Sequence, residues 1–257
     1  MRYSVLTYNF GDYELLHEID EKDPDAEYIV VTDRDDLVSD TWEIVKWKGE
    51  DWMNGFDKVC YVRYHCFDFC NTDICVKLDG SVKIKKSFGP IIDKFEENNY
   101  DTALMVHPYN RPIGREYNVW VNVVKRYPRE QALRCMSILS ELDKEGKHAD
   151  DSIFQLNFFI QRKNAINDCI NKAVYSLNGL LGANTGHQDR IDQITFSFVV
   201  NNWFSSCINC MFLSERITTD GVYMQWLMHN STDQKIYNLV TDSPRAFGKP
   251  VKYTLFP

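Results

Sequence analysis

The hydrophobic and polar residues of this chain follow two alternating patterns. Short apolar runs predict buried strands, because strands covered on both faces are continuous in hydrophobicity. Longer stretches with apolar residues at helical spacing separate them. The predicted strands are residues 3–8, 27–32, 42–47, 74–78, 102–106 and 154–161. The predicted helices are residues 53–69, 88–97, 114–146 with a break at Pro128, 167–181 and 191–203. This alternation favours an α/β fold with a mostly parallel sheet flanked by helices.

The composition is that of a globular chain with ample core. Of the 257 residues, 44% are hydrophobic and 26% are charged, as in ordinary globular domains. No repeat, low-complexity tract or linker divides the chain, so we predict a single domain over residues 1–230. The irregular tail 231–257 is expected to pack on this domain or to cover its site.

Charge and hydropathy narrow the classes of partner. The net charge of −8 argues against nucleic-acid binding, which needs a basic surface. No apolar run approaches the ~18 residues that indicate a transmembrane segment. The first residues lack the charged start and long apolar centre of a signal peptide. We therefore expect a cytoplasmic protein, with peripheral attachment to a membrane left open.

The eight cysteines are predicted to be core residues rather than metal ligands. Cys207 and Cys210 form the only C-x-x-C pair, and no second pair lies near them. Structural zinc sites usually combine two such pairs, whereas free cysteine in cytosolic proteins is a small buried hydrophobe.

The segment 73–84 is the most informative in the chain. The apolar strand 74–78 ends on one carboxylate, Asp79, and Gly80 follows at once. Open α/β sheets bind ligands at the carboxyl ends of their strands, and glycine permits a sharp turn and close approach by a ligand. This arrangement suits a diphosphate held through a divalent cation. An Asp-Gly hairpin turn is the structural alternative.

A second acidic group follows the strand 27–32. Asp33 and Asp35 have the context of the nucleophile and the acid/base of haloacid-dehalogenase-like phosphatases, but Leu37 occupies a position where that family has Thr or Val. An acidic loop is the simpler interpretation. Asp33 is also a candidate to accept hydrogen bonds from a ribose or a base.

Two further segments combine several ionisable residues. The loop 107–116 contains His107, Arg111, Arg115 and Glu116. Arginine forks suit phosphate or carboxylate oxygens, and a surface loop with scattered charges is the alternative. The second segment has Arg190, Asp192 and Gln193 at the start of an apolar helix, where the helix dipole also favours an acidic residue without any catalytic role.

The three segments 73–81, 107–117 and 190–198, in this order, resemble a known family. They are similar to the capsular-type glycosyltransferases of bacteria and viruses that are related to a plant glycosyltransferase-like domain, and the resemblance extends over about residues 3–230. It implies a GT-A fold and the transfer of a sugar from a nucleotide-sugar donor, UDP- or GDP-linked, to a hydroxyl of a glycan or lipid-linked acceptor. Such a transferase acts in polysaccharide biosynthesis.

The resemblance also implies roles for individual residues. Asp79 stands at the metal-binding DxD position but keeps one of its two carboxylates, so Mn²⁺ or Mg²⁺ would be held by Asp79 with His107 and the substrate phosphates. The alternative is neutralisation of the diphosphate by lysine or arginine alone. Asp192 is the first candidate for the acceptor-side carboxylate and Glu116 the second; Asp192 could instead bind donor-sugar hydroxyls. The residues expected to bind the donor are Thr7, Tyr8, Asn9, Asp33, Lys77, Arg111, Arg115, Arg190 and Gln193.

Two other functions stay open at this point. The incomplete DxD position is also compatible with a non-catalytic module that binds a nucleotide or a sugar. An Asp-dependent phosphatase that uses Asp33 and Asp35 is the remaining alternative, and it predicts phosphate release from simple phosphomonoesters.

Overall fold

The computed structural model describes residues 1–12, 14–106, 137, 153–182, 191–213 and 223–226. Its main sheet has seven strands in the order β3-β2-β1-β4-β7-β6-β8. They are β1 (Tyr3–Asn9), β2 (Ala26–Thr32), β3 (Glu43–Lys46), β4 (Ile74–Leu78), β6 (Thr102–Val106), β7 (Phe154–Arg162) and β8 (Cys210–Leu213). A small second sheet pairs β5 (Val82–Ile84) with β9 (Met224–Trp226).

The helices that the structure describes are α1 (Gly55–Tyr64), α2 (Gly89–Glu97), α3 (Ala165–Gly182) and α4 (Ile191–Val199). A 3-10 turn, Cys66–Asp68, follows α1, and a π-helical turn, Val200–Phe204, continues α4. Asn54 caps α1, because its side chain accepts from the backbone N–H of Phe56 and Asp57. None of the helices in the described ranges is long and apolar enough to cross a membrane.

The main sheet is mixed but mostly parallel, as predicted. The pairs β1–β2, β2–β3, β1–β4 and β6–β8 are parallel. Strand β7 is antiparallel to both of its neighbours, β4 and β6. It is therefore the one strand of this sheet that runs against the rest.

Both faces of the sheet are buried, which explains the continuous apolar runs. Side chains alternate between the two faces of a strand. On the face that α2 covers, Tyr3 and Val5 of β1 pack in one cluster with Phe88, Ile92 and Phe95. On the opposite face, Leu6, Ile29 and Val31 pack with Val62 of α1. Phe159 of β7 packs with Val174 and Phe196, from α3 and α4.

Three details differ from the predictions. The helix predicted over residues 53–69 ends at Tyr64, and the 3-10 turn takes up the rest of that stretch. Strands β5, β8 and β9 were not predicted, because each is only three or four residues long and gives too short a hydrophobic pattern. The Asp-Gly hairpin alternative is wrong, since β4 pairs with β1 and β7 while β5 pairs with β9.

Four cysteines are buried as predicted: Cys60, Cys66, Cys70 and Cys75. Cys169 and Cys207 are exposed and Cys210 is half-buried, so the prediction of core cysteines is wrong for the exposed pair. Within the described residues, no group of three or more His, Cys, Asp or Glu side chains is arranged to hold a metal ion. The helical stretch predicted over 114–146, except Ser137, and the tail 231–257 lie outside the described residues.

Candidate functional site

The strand order reverses between β1 and β4. From β1 the chain continues to β2 and β3 on one side, whereas β4 lies on the other side of β1. Because β1 and β4 are parallel, their carboxyl ends share one edge of the sheet. Open α/β sheets bind ligands in the crevice at such a reversal. Tyr8 and Asn9, at the end of β1, and Asp79, directly after β4, lie at this edge.

One buried arginine connects the acidic residues of this edge. Arg63, in the last turn of α1, donates from Nη2 to Asp79 Oδ1 at 2.5 Å. The same nitrogen donates to the Tyr8 hydroxyl, and Nη1 donates to Asp192 Oδ2. The Tyr8 hydroxyl in turn donates to Asp79 Oδ1. We refer to Tyr8, Arg63, Asp79 and Asp192 as the arginine cluster.

The arginine cluster brings together two predicted residues, Asp79 and Asp192, through one that the sequence analysis missed. Arg63 and Asp192 are 129 positions apart in the chain. The missed signal was the position of Arg63 on α1: it lies three residues after the buried Cys60 and so shares its helix face. An arginine on a buried face needs acidic partners.

Burial and charge act against each other within the cluster. Burial opposes the charge of the Arg63 guanidinium, but the electrostatic interactions with Tyr8, Asp192 and Asp79 outweigh it and keep the pKa of Arg63 well above its ordinary value. Burial, together with the negative charge of Asp79, raises the pKa of Tyr8 well above its ordinary value. The cluster therefore sets two aspartate side chains against one permanently charged guanidinium, with a neutral phenol beside them.

The two carboxylates differ in their access to solvent. The Asp79 side chain is 29% exposed, whereas that of Asp192 is 7% exposed. Asp192 lies in the first turn of α4, and its Oδ1 accepts from the backbone N–H of Gln193 at 2.8 Å. Asp192 thus combines the helix-start position that was predicted with an ion pair to Arg63. Asp79 is the carboxylate that a ligand reaches first.

The residues predicted to line a nucleoside pocket fall into two groups. Thr7 and Asn9 are buried, and their side chains donate to the carbonyls of Leu78 and Glu14. Asp33 lies at the surface of the same edge and accepts from Lys58 Nζ at 2.6 Å and from the Gly11 N–H at 2.9 Å. Burial acts to raise the pKa of Asp33, but these two hydrogen bonds outweigh it and lower the pKa.

The acidic loop after β2 does not converge on one point. Asp35 is an exposed side chain 3.2 Å from Lys46 Nζ, and Asp36 pairs with Arg34. Asp33 faces Lys58 instead. The pairing of Asp33 and Asp35 that a phosphatase would need has no support in this geometry.

Lys77 lies beneath the arginine cluster rather than at the open edge. It is 3% exposed, and its Nζ donates to the backbone carbonyl of Arg63 at 2.7 Å and to Gln161 Oε1. The amide of Gln161 continues to Asn167 of α3 at 3.2 Å. This chain of hydrogen bonds ties the end of α1 to β4, β7 and α3, so Lys77 supports the backbone that carries Arg63.

Several buried amide atoms near the carboxyl edge have no hydrogen-bond partner among the residues that the structure describes. These atoms are Asn9 Oδ1, Gln155 Oε1, and Oδ1 and Nδ2 of Asn157. Asn157 is adjacent to the cluster, because its backbone carbonyl accepts from the Asp79 N–H at 3.1 Å. A buried polar group without a partner costs about 1–3 kcal/mol, and such groups commonly mark water or ligand positions.

The described part of the site fits a guanidinium rather than a divalent cation. Asp79 Oδ1 already accepts from both Arg63 and Tyr8, so a metal ion at this oxygen would lie next to the positive charge of Arg63. The second predicted metal ligand, His107, lies outside the described residues. Four other predicted site residues also lie outside them: Arg111, Arg115, Glu116 and Arg190.

Gly80 is required by the close approach of β1. A Cβ at Gly80 would lie 2.8 Å from the backbone carbonyl oxygen of Tyr8, so the backbone at the cluster would have to move. We expect Gly80→Ala to lower the free energy of unfolding by about 1–3 kcal/mol, the usual cost of overpacking.

A matched control for Gly80→Ala is available on α3. A Cβ at Gly179 meets no atom within 4 Å, so Gly179→Ala should raise the free energy of unfolding by roughly 0.5–1 kcal/mol, as replacement of a helical glycine does. Urea unfolding of both variants measures the two effects. Equal effects in both variants would mean that β1 does not restrict position 80.

A comparison of the chain with models of protein families and with curated proteins gives no match.

Proposed function

We propose that this protein is a glycosyltransferase with a GT-A fold. In this proposal it transfers a sugar from a UDP- or GDP-linked donor to a hydroxyl of a glycan or lipid-linked acceptor, in polysaccharide biosynthesis. The main support for this proposal is the arginine cluster. Asp79 and Asp192 both contact one buried arginine, at the point where the strand order reverses and where open α/β sheets bind ligands. The ordered motifs around these two residues are also those that resemble the family.

The donor side of the reaction needs positive charge next to the diphosphate. Negative charge develops on the leaving nucleoside diphosphate, and fixed cations or hydrogen-bond donors stabilise it in the transition state. Asp79 is the more accessible of the two aspartates, at 29% exposure. A Mn²⁺ or Mg²⁺ ion at Asp79 and His107 would supply Lewis-acid stabilisation of the phosphate oxygens, but Asp79 Oδ1 already accepts from Arg63 and Tyr8 and fits a guanidinium better.

The acceptor side needs a group that orients and deprotonates a hydroxyl. A carboxylate within hydrogen-bond distance acts as a general base in an inverting enzyme. Asp192 is the candidate within the described residues, with Glu116 as the second candidate outside them. Because Asp192 is bound to Arg63, its action as a base requires that the acceptor or donor separates the two groups.

The unpartnered amides support a polyhydroxylated ligand. Asn157 carries both a donor and an acceptor that no described residue pairs with, and its backbone carbonyl accepts from the Asp79 N–H. Sugar hydroxyls also donate and accept. A ligand at this edge would therefore satisfy hydrogen-bonding groups that the protein leaves unpaired.

A non-catalytic binding module is the second candidate function. The deep burial of Asp192 favours it, because a general base must reach its substrate. Nucleotide binding without turnover over a broad panel of donors and acceptors would support this alternative.

A thermal-shift screen tests the proposed function. The purified protein is heated with UDP, GDP or CMP and with their sugar conjugates, with and without Mn²⁺. A ligand that binds only the native state at a hundredfold excess over Kd stabilises it by about 2.7 kcal/mol, or roughly 5–10 °C in Tm for a chain of this size. We expect such a shift with one nucleoside diphosphate and its sugar conjugates. No shift with any nucleotide would reject the proposal.

A further inference from the structure

We propose that the guanidinium of Arg63 is the resident cation of this site, and that it takes the place of a divalent metal ion between Asp79 and Asp192. The inference rests on the proposed function and specifies how the donor diphosphate is neutralised. Among the described residues, Arg63 is the group that contacts both carboxylates: Nη2 reaches Asp79 Oδ1 at 2.5 Å, and Nη1 bonds to Asp192 Oδ2.

The surroundings of Arg63 hold this charge in place. Its side chain is 6% exposed, and its guanidinium carbon lies 5.5 Å from the centre of the Tyr8 ring, within the range of a cation–π contact. The backbone carbonyl of Arg63 is bonded to the buried Lys77. A side chain bound at both its head and its backbone is preorganised, as a cation that stabilises developing charge must be.

Geometry also indicates the direction from which a diphosphate arrives. Asp79, at 29% exposure, is the open side of the cluster, whereas Asp192, at 7%, closes the other side. Guanidinium forks bind phosphate oxygens through parallel N–H donors. Because Nη2 is already bonded to Asp79 and Tyr8, an incoming diphosphate has to displace Asp79 from Arg63, at the carboxyl end of β4.

The proposal predicts that nucleotide binding does not depend on a metal ion. Affinities for UDP and GDP are measured by calorimetry with 1 mM EDTA and, separately, with 1 mM Mn²⁺, on the full-length protein. Whichever nucleotide binds, we expect its Kd in EDTA and its Kd in Mn²⁺ to agree within about threefold. Binding that EDTA abolishes would overturn the inference and leave the glycosyltransferase proposal intact.

Variants of Arg63 test its role directly. Arg63→Met alone removes the positive charge that both carboxylates contact and risks unfolding, so it is combined with Asp192→Asn, which restores the net charge of the cluster. The double variant should fold, as measured by circular dichroism, and bind the nucleotide at least tenfold more weakly. The single variant Asp192→Asn retains Arg63 and is the reference against which this loss is measured, so the effect of changing Asp192 itself is the same in both variants. Equal affinity in the double variant and this control would overturn the inference.

A metal ion should be able to replace the missing arginine. In Arg63→Gln the two carboxylates face each other across an uncharged side chain, which makes a site for a hard cation with oxygen ligands. We expect 1 mM Mn²⁺ to raise the Tm of Arg63→Gln by several degrees more than that of the unmodified protein. An equal effect of Mn²⁺ on both proteins would contradict the proposed exchange of arginine for metal. If neither UDP nor GDP binds the unmodified protein under any condition, the proposed function fails, and this inference fails with it.

Discussion

Replacing Asp79 or Asp192 by asparagine is expected to lower sugar transfer at least about a hundredfold without unfolding the protein. Asparagine keeps the shape of aspartate but removes its negative charge. At position 79 the change removes the more accessible carboxylate, on the side proposed for the diphosphate, and at position 192 it removes the candidate base. Each variant keeps one of the two carboxylates on Arg63, so the arginine retains an acidic partner.

Asp168→Asn is the matched control for both substitutions. Asp168 lies on α3, its side chain is 59% exposed, and it forms an i,i+4 ion pair with Lys172. Such surface pairs contribute between 0 and about 1 kcal/mol, so this variant should retain full activity. Turnover is measured with the sugar conjugate of the nucleotide that stabilises the protein, and circular dichroism melting confirms folding. Full activity in purified Asp79→Asn or Asp192→Asn would remove that residue from the mechanism.

Phe196→Ala is expected to lower the free energy of unfolding by about 3–5 kcal/mol, the usual cost of removing a buried phenylalanine. Phe196 is fully buried on α4. Its ring centre lies 5.5 Å from that of Phe159, 6.4 Å from that of Phe154 and 6.5 Å from that of Tyr64. This one side chain therefore joins α4 to both β7 and α1.

The same substitution should also weaken nucleotide binding. Asp192 lies one turn before Phe196 on α4, and Tyr64 directly follows Arg63 on α1, so the Phe196 contacts hold the two sides of the Arg63–Asp192 ion pair.

Urea unfolding measures the stability of the Phe196→Ala variant. Val38→Ala is the control, since Val38 is 82% exposed and surface changes of this kind stay within about 0.5 kcal/mol. A loss below about 1 kcal/mol for Phe196→Ala would mean that α4 does not depend on this contact.

The sequence alone was sufficient to predict most of the secondary structure. It was also sufficient to predict where the two aspartates of the arginine cluster, Asp79 and Asp192, lie on their elements. Residues 74–78 were predicted as a strand that delivers Asp79, and Asp192 was predicted at a helix start; both are confirmed. These features are local. The periodicity of hydrophobic residues in a short segment indicates whether one of its faces is buried or both. A polar residue at the end of a strand or helix is adjacent to that segment in the sequence.

The tertiary structure alone revealed how these local features meet. The direction of β7 could not be read from residues 154–162, because a strand buried on both faces has the same apolar run in a parallel and in an antiparallel position. Arg63 was missed for a related reason. A helix period shows which face of α1 is buried, but its partners, Asp79 and Asp192, are supplied by other elements of the fold.

Lys77 illustrates the same limit. It was predicted to be one of the cations available to neutralise the diphosphate, yet its side chain is buried and bonded to the backbone carbonyl of Arg63. Alternation along a strand determines that neighbouring residues point to opposite faces, but the chain packed against each face comes from elsewhere in the sequence. The sequence therefore determined the elements and the residue types at their ends. Sheet order and helix packing, which depend on contacts between distant residues, decided that one arginine joins two aspartates.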